Sequence, residues 1–148
     1  MKKIKLIVLA LIIIFPIISY AQCKEFTEST AIPLLDDFIL SGRYNSLKMG
    51  EGEQILIFKT LNKGITYRFI ICGETGLPDN IEFEILDWED NLIYNNKSDS
   101  YKKIWDYKSS STQRIKIVIK VPDEGGDATV KACVTLVTGI KNLEGGGF

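Results

Sequence analysis

Five carboxylates lie between positions 82 and 90, and they are the side chains of this chain best suited to catalysis: Glu82, Glu84, Asp87, Glu89 and Asp90. A glycosidase needs two such groups, placed on either side of one bond, as acid and as nucleophile or base. Glu82 and Glu84, however, alternate with apolar residues, which is typical of the solvent-facing positions of a strand. We therefore predict a solvated surface here and no catalytic residue.

The composition excludes several other kinds of chemistry. None of the 148 residues is a histidine, so this chain holds no Ser-His-Asp or Cys-His catalytic group and no His-ligated zinc, copper or iron site. Its 18 basic residues nearly balance its 19 acidic ones and are scattered singly. Neither a nucleic-acid footprint nor a basic membrane-binding patch is expected, and we predict no cofactor and no metal site.

Residues 87–91 are the candidate binding site: Asp87, Trp88, Glu89, Asp90 and Asn91. They separate two alternating segments, which predicts a hairpin turn. Their oxygens could hold calcium, but the spacing lacks the Asp-x-Asp-x-Asp-Gly order of a calcium loop. Trp88 could stack on a sugar ring, although we favour packing against the core or the sheet edge. If a binding site exists, we expect it in this turn, because loops at the end of a rigid sandwich often carry function.

The first 21 residues have the organisation of a secretory signal peptide. Lys2, Lys3 and Lys5 precede an apolar run at residues 6–18, and small residues stand three and one positions before a cleavage that follows Ala21. This run is shorter than the roughly 20 residues that span a bilayer. We predict export to the periplasm or the extracellular space, with no stable membrane insertion after cleavage.

Three cysteines remain after that cleavage, and an exported chain can keep disulfides. Cys72 ends one predicted strand and Cys133 opens the last, so a bridge between them would close a long loop and contribute about 4 kcal/mol. We predict that Cys72 pairs with Cys133. Cys23 is then a free thiol, unless one of the two other pairings forms. A lipid on Cys23 is not expected, because Gln22 stands where lipoprotein processing needs a small residue.

From residue 43 onward the apolar residues recur with a period of two between regularly spaced turn residues, which is typical of an all-β sandwich. Charged residues at the alternate positions indicate antiparallel sheets with one side in water. Strands are predicted at residues 54–61, 66–72, 81–86, 92–95, 101–107, 114–121 and 129–140. Tyr67, Phe69, Phe83, Trp105 and Tyr107 are expected to build the core.

A short amphipathic helix is predicted before the strands. Pro33 fits a first helical turn and Gly42 a helix end. The apolar residues between them are spaced by three and four: Leu34, Leu35, Phe38 and Ile39. We expect this helix to plug one end of the core. The chain is thus divided into a signal peptide (1–21), an N-terminal segment with the helix (22–42), a single sandwich domain (43–141) and a flexible tail (142–148).

Several segments occur in a recognisable order. A glycine turn feeds an aromatic strand at residues 63–69, and a hairpin at residues 85–95 has Asp90 where a turn glycine is expected. Trp105-Asp106-Tyr107, Ala132-Cys133 and Val137-Thr138-Gly139 follow. Over residues 50–140 this order resembles small secreted bacterial β-sandwich proteins and the pre-peptidase C-terminal and GOLD-type jelly rolls. The resemblance implies a jelly-roll-like sandwich of about seven or eight strands and an accessory or binding role without catalysis.

Three functional classes remain. We favour an exported, non-catalytic binding module with a protein or glycan partner. A carbohydrate-binding module is the alternative, and it needs Trp88 with Tyr94 or Tyr107 on one exposed strip. A glycosidase is less favoured, since it needs two acids that face each other across a cleft. The exposure of Trp88, Tyr94, Trp105 and Tyr107 distinguishes these classes.

Overall fold

The computed structural model describes residues 23–141. The predicted signal peptide (1–21) and tail (142–148) lie outside the described residues and stay predictions. Within the described part, nine strands form two antiparallel sheets. The predicted fold class, a single antiparallel β-sandwich with a short helix on its N-terminal side, is confirmed.

The strands vary from two to ten residues in length. They are β1 (Ile39–Leu40), β2 (Asn45–Met49), β3 (Gln54–Leu61), β4 (Thr66–Gly73), β5 (Glu82–Leu86), β6 (Leu92–Asn95), β7 (Ile104–Lys108), β8 (Gln113–Lys120) and β9 (Ala132–Lys141). In sheet A, β9 pairs with β4 on one side and with β1 and β2 on the other, and β7 lies beyond β4. Sheet B has the order β3-β8-β5-β6, which makes β3 and β6 its edges.

Alternating side chains fill the space between the two sheets. In β8, Ile115, Ile117 and Ile119 are fully buried, whereas Arg114 and Lys120 are exposed to solvent. Branched side chains of this kind fit a pleated surface that is buried on one side. Each such burial contributes about 1.5–3 kcal/mol, so this apolar layer holds the sheets together.

The predicted strands are all present, with bounds that differ by three residues or fewer. β1 and β2 are additional, because β1 is too short to show a pattern and β2 has apolar side chains only at Leu47 and Met49. The predicted core aromatics also lie in the core. Tyr67, Phe69 and Phe83 are buried, and Trp105 and Tyr107 are partly buried against them.

A helical segment covers the outer side of sheet A. It begins with one turn at residues 23–26, continues as a π-helix (Thr27–Ala31) and ends as a 3-10 helix (Ile32–Leu35). Asp36 stops it, since its φ of 54° is left-handed. The segment therefore lies earlier in the chain than predicted, and on a sheet instead of at one end of the core. Its contact with the sheet is apolar and includes Ala31, Leu35, Phe38, Ile70, Cys72 and Val137.

The disulfide joins Cys23 to Cys133, whose Cα atoms are 5.4 Å apart. The predicted bridge between Cys72 and Cys133 is therefore wrong, and Cys72 is a free, buried thiol. Thr27 explains the pairing, because its buried hydroxyl donates to the Cys23 carbonyl oxygen at 2.7 Å and lies 3.0 Å from the Thr135 hydroxyl of β9. These contacts fix the first helical turn over Cys133. Burial also raises the pKa of the Cys72 thiol.

Candidate binding face

The outer side of sheet B has no covering segment within residues 23–141 and carries exposed apolar side chains. Of the seven large hydrophobic residues that are exposed in this described range, four lie here: Leu56, Phe58, Trp88 and Leu92. Phe58 is paired with Lys116 of β8, and Arg114 follows two positions away on the same side. We call the surface formed by Leu56, Phe58, Trp88, Leu92, Arg114 and Lys116 the open face. Exposed apolar groups that lie together often mark interaction sites.

Phe58, Trp88 and Arg114 form a compact cluster on the open face. The two ring centroids are 6.1 Å apart, with the rings tilted by 51°. The guanidinium carbon of Arg114 lies 5.0 Å from the Phe58 centroid and 4.8 Å from the Trp88 centroid. A cation over an aromatic ring is attracted by the negative face of the ring. The two rings therefore hold the guanidinium in place without using its N–H groups.

The turn that presents Trp88 is held by its own hydrogen bonds. Asp87 Oδ1 accepts from the backbone N–H groups of Glu89 and Asn91 at 2.8 and 2.9 Å, and its Oδ2 accepts from Asn91 Nδ2 at 2.9 Å. The Asn91 side chain, and then the backbone groups, hold the pKa of Asp87 below its usual 3.8. Asp90 has a left-handed φ of 67°, at the position where a turn glycine is expected. The aspartates thus shape the turn.

An ion pair fastens this turn to the sheet. Lys116 Nζ lies 2.6 Å from Asp90 Oδ1 and 5.3 Å from the Trp88 centroid. The Lys116 side chain is only 16% exposed, whereas Trp88 as a whole is 56% exposed. Trp88 therefore contacts cations and Phe58 at the surface of the sheet, outside the core, and more than half of it stays accessible.

The acidic residues on β5 do not face each other across a cleft. Glu82 pairs with Lys97 at 3.2 Å, and Glu84 accepts a hydrogen bond from Asn95 Nδ2 at 2.8 Å. They alternate along one side of a single strand, as the sequence pattern predicts for solvated positions. No group of three or more metal-ligating side chains is found within residues 23–141. Two of the three carboxylates of the turn have partners in the protein, since Asp87 is bound by the turn and Asp90 by Lys116.

Tyr94, Trp105 and Tyr107 lie on the inner side of the sandwich. Tyr94 stacks on Trp105 at 4.4 Å between centroids, and Trp105 stacks on Tyr107 at 5.0 Å. Desolvation, and then a hydrogen bond to Asp99, raise the pKa of Tyr94 to about 12. Trp88 lies on the opposite side of sheet B. The single exposed strip that a carbohydrate-binding module would need from Trp88 with Tyr94 or Tyr107 does not form.

Sequence reasoning identified the turn but missed its neighbours Phe58, Arg114 and Lys116. They come from β3 and β8, and only the register of these strands places them beside Trp88. One signal was available. Leu56 and Phe58 occupy the positions of β3 that alternation assigns to solvent, where a polar residue is expected.

The chain matches no protein-family model and no curated protein. The resemblance to pre-peptidase C-terminal and GOLD-type jelly rolls therefore stays a prediction, whereas the small all-β fold itself is shown. Among solved structures, the chain is similar to PliG of Aeromonas hydrophila, a periplasmic lysozyme inhibitor of g-type lysozyme. The identity is 14%, the match covers 71% of this chain and 89% of that chain, and the TM-score is 0.49. A likeness of this degree transfers no residue and no activity.

Among the helical turns at residues 23–141, none has the length and apolarity that crossing a membrane requires.

Proposed function

We propose that the protein is an exported, non-catalytic binding module whose partner is another protein, and that the open face is the binding surface. Trp88 carries this proposal, because a large aromatic ring that is 56% exposed is held there by a hydrogen-bonded turn. Tryptophan, tyrosine and arginine are the residues that most often dominate the binding energy of protein interfaces. Trp88 and Arg114 adjoin each other here, beside Phe58.

The surroundings of Trp88 support a protein partner over a glycan. Leu56, Phe58 and Leu92 extend the exposed apolar area around Trp88, and an apolar area of this kind suits the centre of a protein interface. The aromatic strip that would bind a sugar chain is absent, since Tyr94 and Tyr107 face inward. A glycosidase is not proposed, because Glu82 and Glu84 lie side by side on one strand.

The disulfide supports export. Disulfides persist in the periplasm and outside the cell, where thiols are not kept reduced. The bridge between Cys23 and Cys133 closes a separation of 110 residues and involves the first described residue of the chain. It therefore agrees with the signal peptide that the sequence predicts.

Photo-crosslinking in the native host tests this function. The photoreactive residue p-benzoylphenylalanine replaces Trp88 in one variant and Val130 in a control, since Val130 is an exposed apolar residue outside the open face. We expect a discrete protein adduct from position 88 and none from position 130. The adduct should weaken when Phe58→Ala is added. Identical products from both positions, or no product from position 88, would contradict the proposal.

Trp88→Ala should separate binding from folding. Loss of the ring should weaken binding of the captured partner by about 1–3 kcal/mol, by analogy with the loss of other stacked aromatics. The free energy of unfolding should change by less than about 1 kcal/mol, because the ring is mostly exposed. Urea unfolding followed by circular dichroism measures the second quantity. A loss of stability of roughly 3–5 kcal/mol would show that Trp88 serves as a core residue.

A further inference from the structure

Two arginines lie over phenylalanine rings on the two outer sides of the sandwich, and they differ in their hydrogen bonds. Arg68 lies 4.3 Å from the Phe38 centroid, and its guanidinium binds both carboxylate oxygens of Asp106 at 2.8 and 2.7 Å. It also donates to the carbonyl oxygens of Leu34 and Leu35. Arg68 thus has its donors engaged inside the protein.

Arg114 also lies over aromatic rings, but it has no such hydrogen-bond partners in the described range. Within residues 23–141 no hydrogen bond and no ion pair engages its guanidinium, and its recorded contacts are with the rings of Phe58 and Trp88. A guanidinium carries five N–H donors in a planar fork that matches a carboxylate. Because the contacts with the rings use none of these donors, the donors remain free to bind an acceptor from outside residues 23–141.

Two carboxylates lie close to Arg114 but do not bind it. Asp87, Trp88, Glu89, Gln113 and Arg114 line one open depression. The Asp87 oxygens accept three hydrogen bonds from the turn. Glu89 is exposed and makes no ion pair with Arg114 in the described range. Its negative charge would oppose an incoming anion, which gives a second variable for a test.

We infer that the open face recognises an acidic side chain of its protein partner, flanked by apolar residues, and that Arg114 binds this carboxylate while Phe58 and Trp88 contact the apolar neighbours. This inference rests on the proposed function and names the chemistry of the partner. Charge complementarity carries it, since Arg114 lies over an aromatic ring as Arg68 does but has no bound carboxylate equivalent to Asp106 within residues 23–141. The partner supplies the missing carboxylate.

Titration with small peptides tests the inference directly. The probes are acetyl-Leu-Asp-Phe-amide and its neutral counterpart acetyl-Leu-Asn-Phe-amide, added to the 15N-labelled protein with its disulfide intact. We expect saturable shifts of the Trp88 indole N–H and the Arg114 Nε–H, with the acidic probe binding about tenfold more tightly, as for a charge-assisted pair. Arg114→Gln should abolish this preference, Arg114→Lys should reduce it, and Arg43→Gln should leave it unchanged, since Arg43 is exposed outside the open face.

Glu89→Gln sharpens the same test. Removing this exposed charge should tighten the acidic probe by about twofold and leave the neutral probe unaffected. Equal binding of the two probes, no saturable shift at Trp88, or an acidic preference that survives Arg114→Gln would each overturn the inference. If the photo-crosslink from position 88 persists in Arg114→Gln while the peptide preference is absent, the proposed function stands and the acidic partner is rejected.

Discussion

The two outer sides of the sandwich are built alike but are covered differently. On sheet A, Phe38 lies under Arg68 and is only 8% exposed, because it follows the helical segment closely and packs with it on the sheet. On sheet B, Phe58 lies under Arg114 and is 46% exposed, and no segment within residues 23–141 covers it. Apolar side chains thus occur on both sides, and residues 23–141 cover only one of the two.

The aromatic ring on the covered side stabilises the fold, whereas we propose that the rings on the open face bind a partner. The covered side combines a disulfide, a buried threonine and a bidentate ion pair between Arg68 and Asp106. The open face combines exposed rings with Arg114, whose donors bind no acceptor in the described range. Apolar side chains lower their free energy when they leave water. The first side achieves this on folding, and under the proposed function the second achieves it when a partner binds.

The largest effect should come from cutting the covalent link on the covered side. Cys23→Ala in a Cys72→Ala background leaves Cys133 without a partner, and it should lower the free energy of unfolding by about 5 kcal/mol, because a closed loop of 110 residues is released. The matched control is Cys72→Ala alone, which keeps the disulfide. Urea unfolding measures both. A loss below about 1 kcal/mol relative to that control would show that the bridge contributes little.

The pairing itself has an independent check. Non-reducing peptide mapping of the native protein should link Cys23 to Cys133 and leave Cys72 as a thiol. Cys72 should react slowly with iodoacetamide, because it is buried and its pKa is raised by desolvation, so little thiolate forms. A dominant bridge between Cys72 and Cys133 would remove the link that fixes the covering segment.

Matched substitutions of the two phenylalanines compare the two sides directly. Phe38→Ala should lower the free energy of unfolding by about 3 kcal/mol, since it leaves a cavity between the covering segment and sheet A. Phe58→Ala should lower it by less than about 1 kcal/mol, because its ring is already half in water. Urea unfolding of both variants under one condition gives the difference. Equal losses would mean that the open face stabilises the fold as much as the covered side does.

Much of the fold could be predicted because the alternation of apolar and polar residues along a strand shows which side chains are buried. The positions of Ile115, Ile117 and Ile119 reveal the inner side of β8 from the sequence alone, and alternation reveals β5 in the same way. β3 and β6 are instead predicted from the turn residues that bound them. β1 and β2 were missed because they are stabilised by pairing with β9 and carry little pattern of their own. The π-helical turn was missed for a similar reason, since Cys23 and Thr27 stabilise it through contacts with β9.

The candidate site was only partly predictable. The turn from Asp87 to Asn91 could be predicted because a hairpin turn has a local sequence signature. Asp90 could be recognised as unusual because glycine is favoured at a turn position with positive φ. Arg114 could not be found, since it lies 26 positions from Trp88 and meets it only through strand register. The prediction of the disulfide pairing was wrong for the same physical reason, because the pairing depends on contacts between distant segments. Cys72 and Cys133 lie on paired strands, but the folding of the covering segment decides which sulfur reaches Cys133.

The smallest predicted effects come from two aspartates with positive φ, one on each side. Asp36 ends the covering segment with φ 54° and ψ −115°, a conformation that strains any residue with a Cβ. Asp36→Gly removes this strain but increases the conformational entropy of the unfolded chain. The net result should be a rise of about 0.5 kcal/mol in the free energy of unfolding. Asp90 lies in the left-handed region that aspartate tolerates, and it binds Lys116.

Asp90→Gly should therefore change the free energy of unfolding in the opposite direction, with a loss of about 0.5 kcal/mol from the ion pair with Lys116. It should also loosen the turn, which a red shift and a lower anisotropy of Trp88 fluorescence would report in a Trp105→Phe background. Asp36→Ala and Asp90→Ala serve as controls, because alanine keeps the Cβ and loses the carboxylate. Stabilisation by both glycine variants would mean that backbone strain outweighs the Lys116 contact. The ion pair with Lys116 would then not account for the aspartate at position 90.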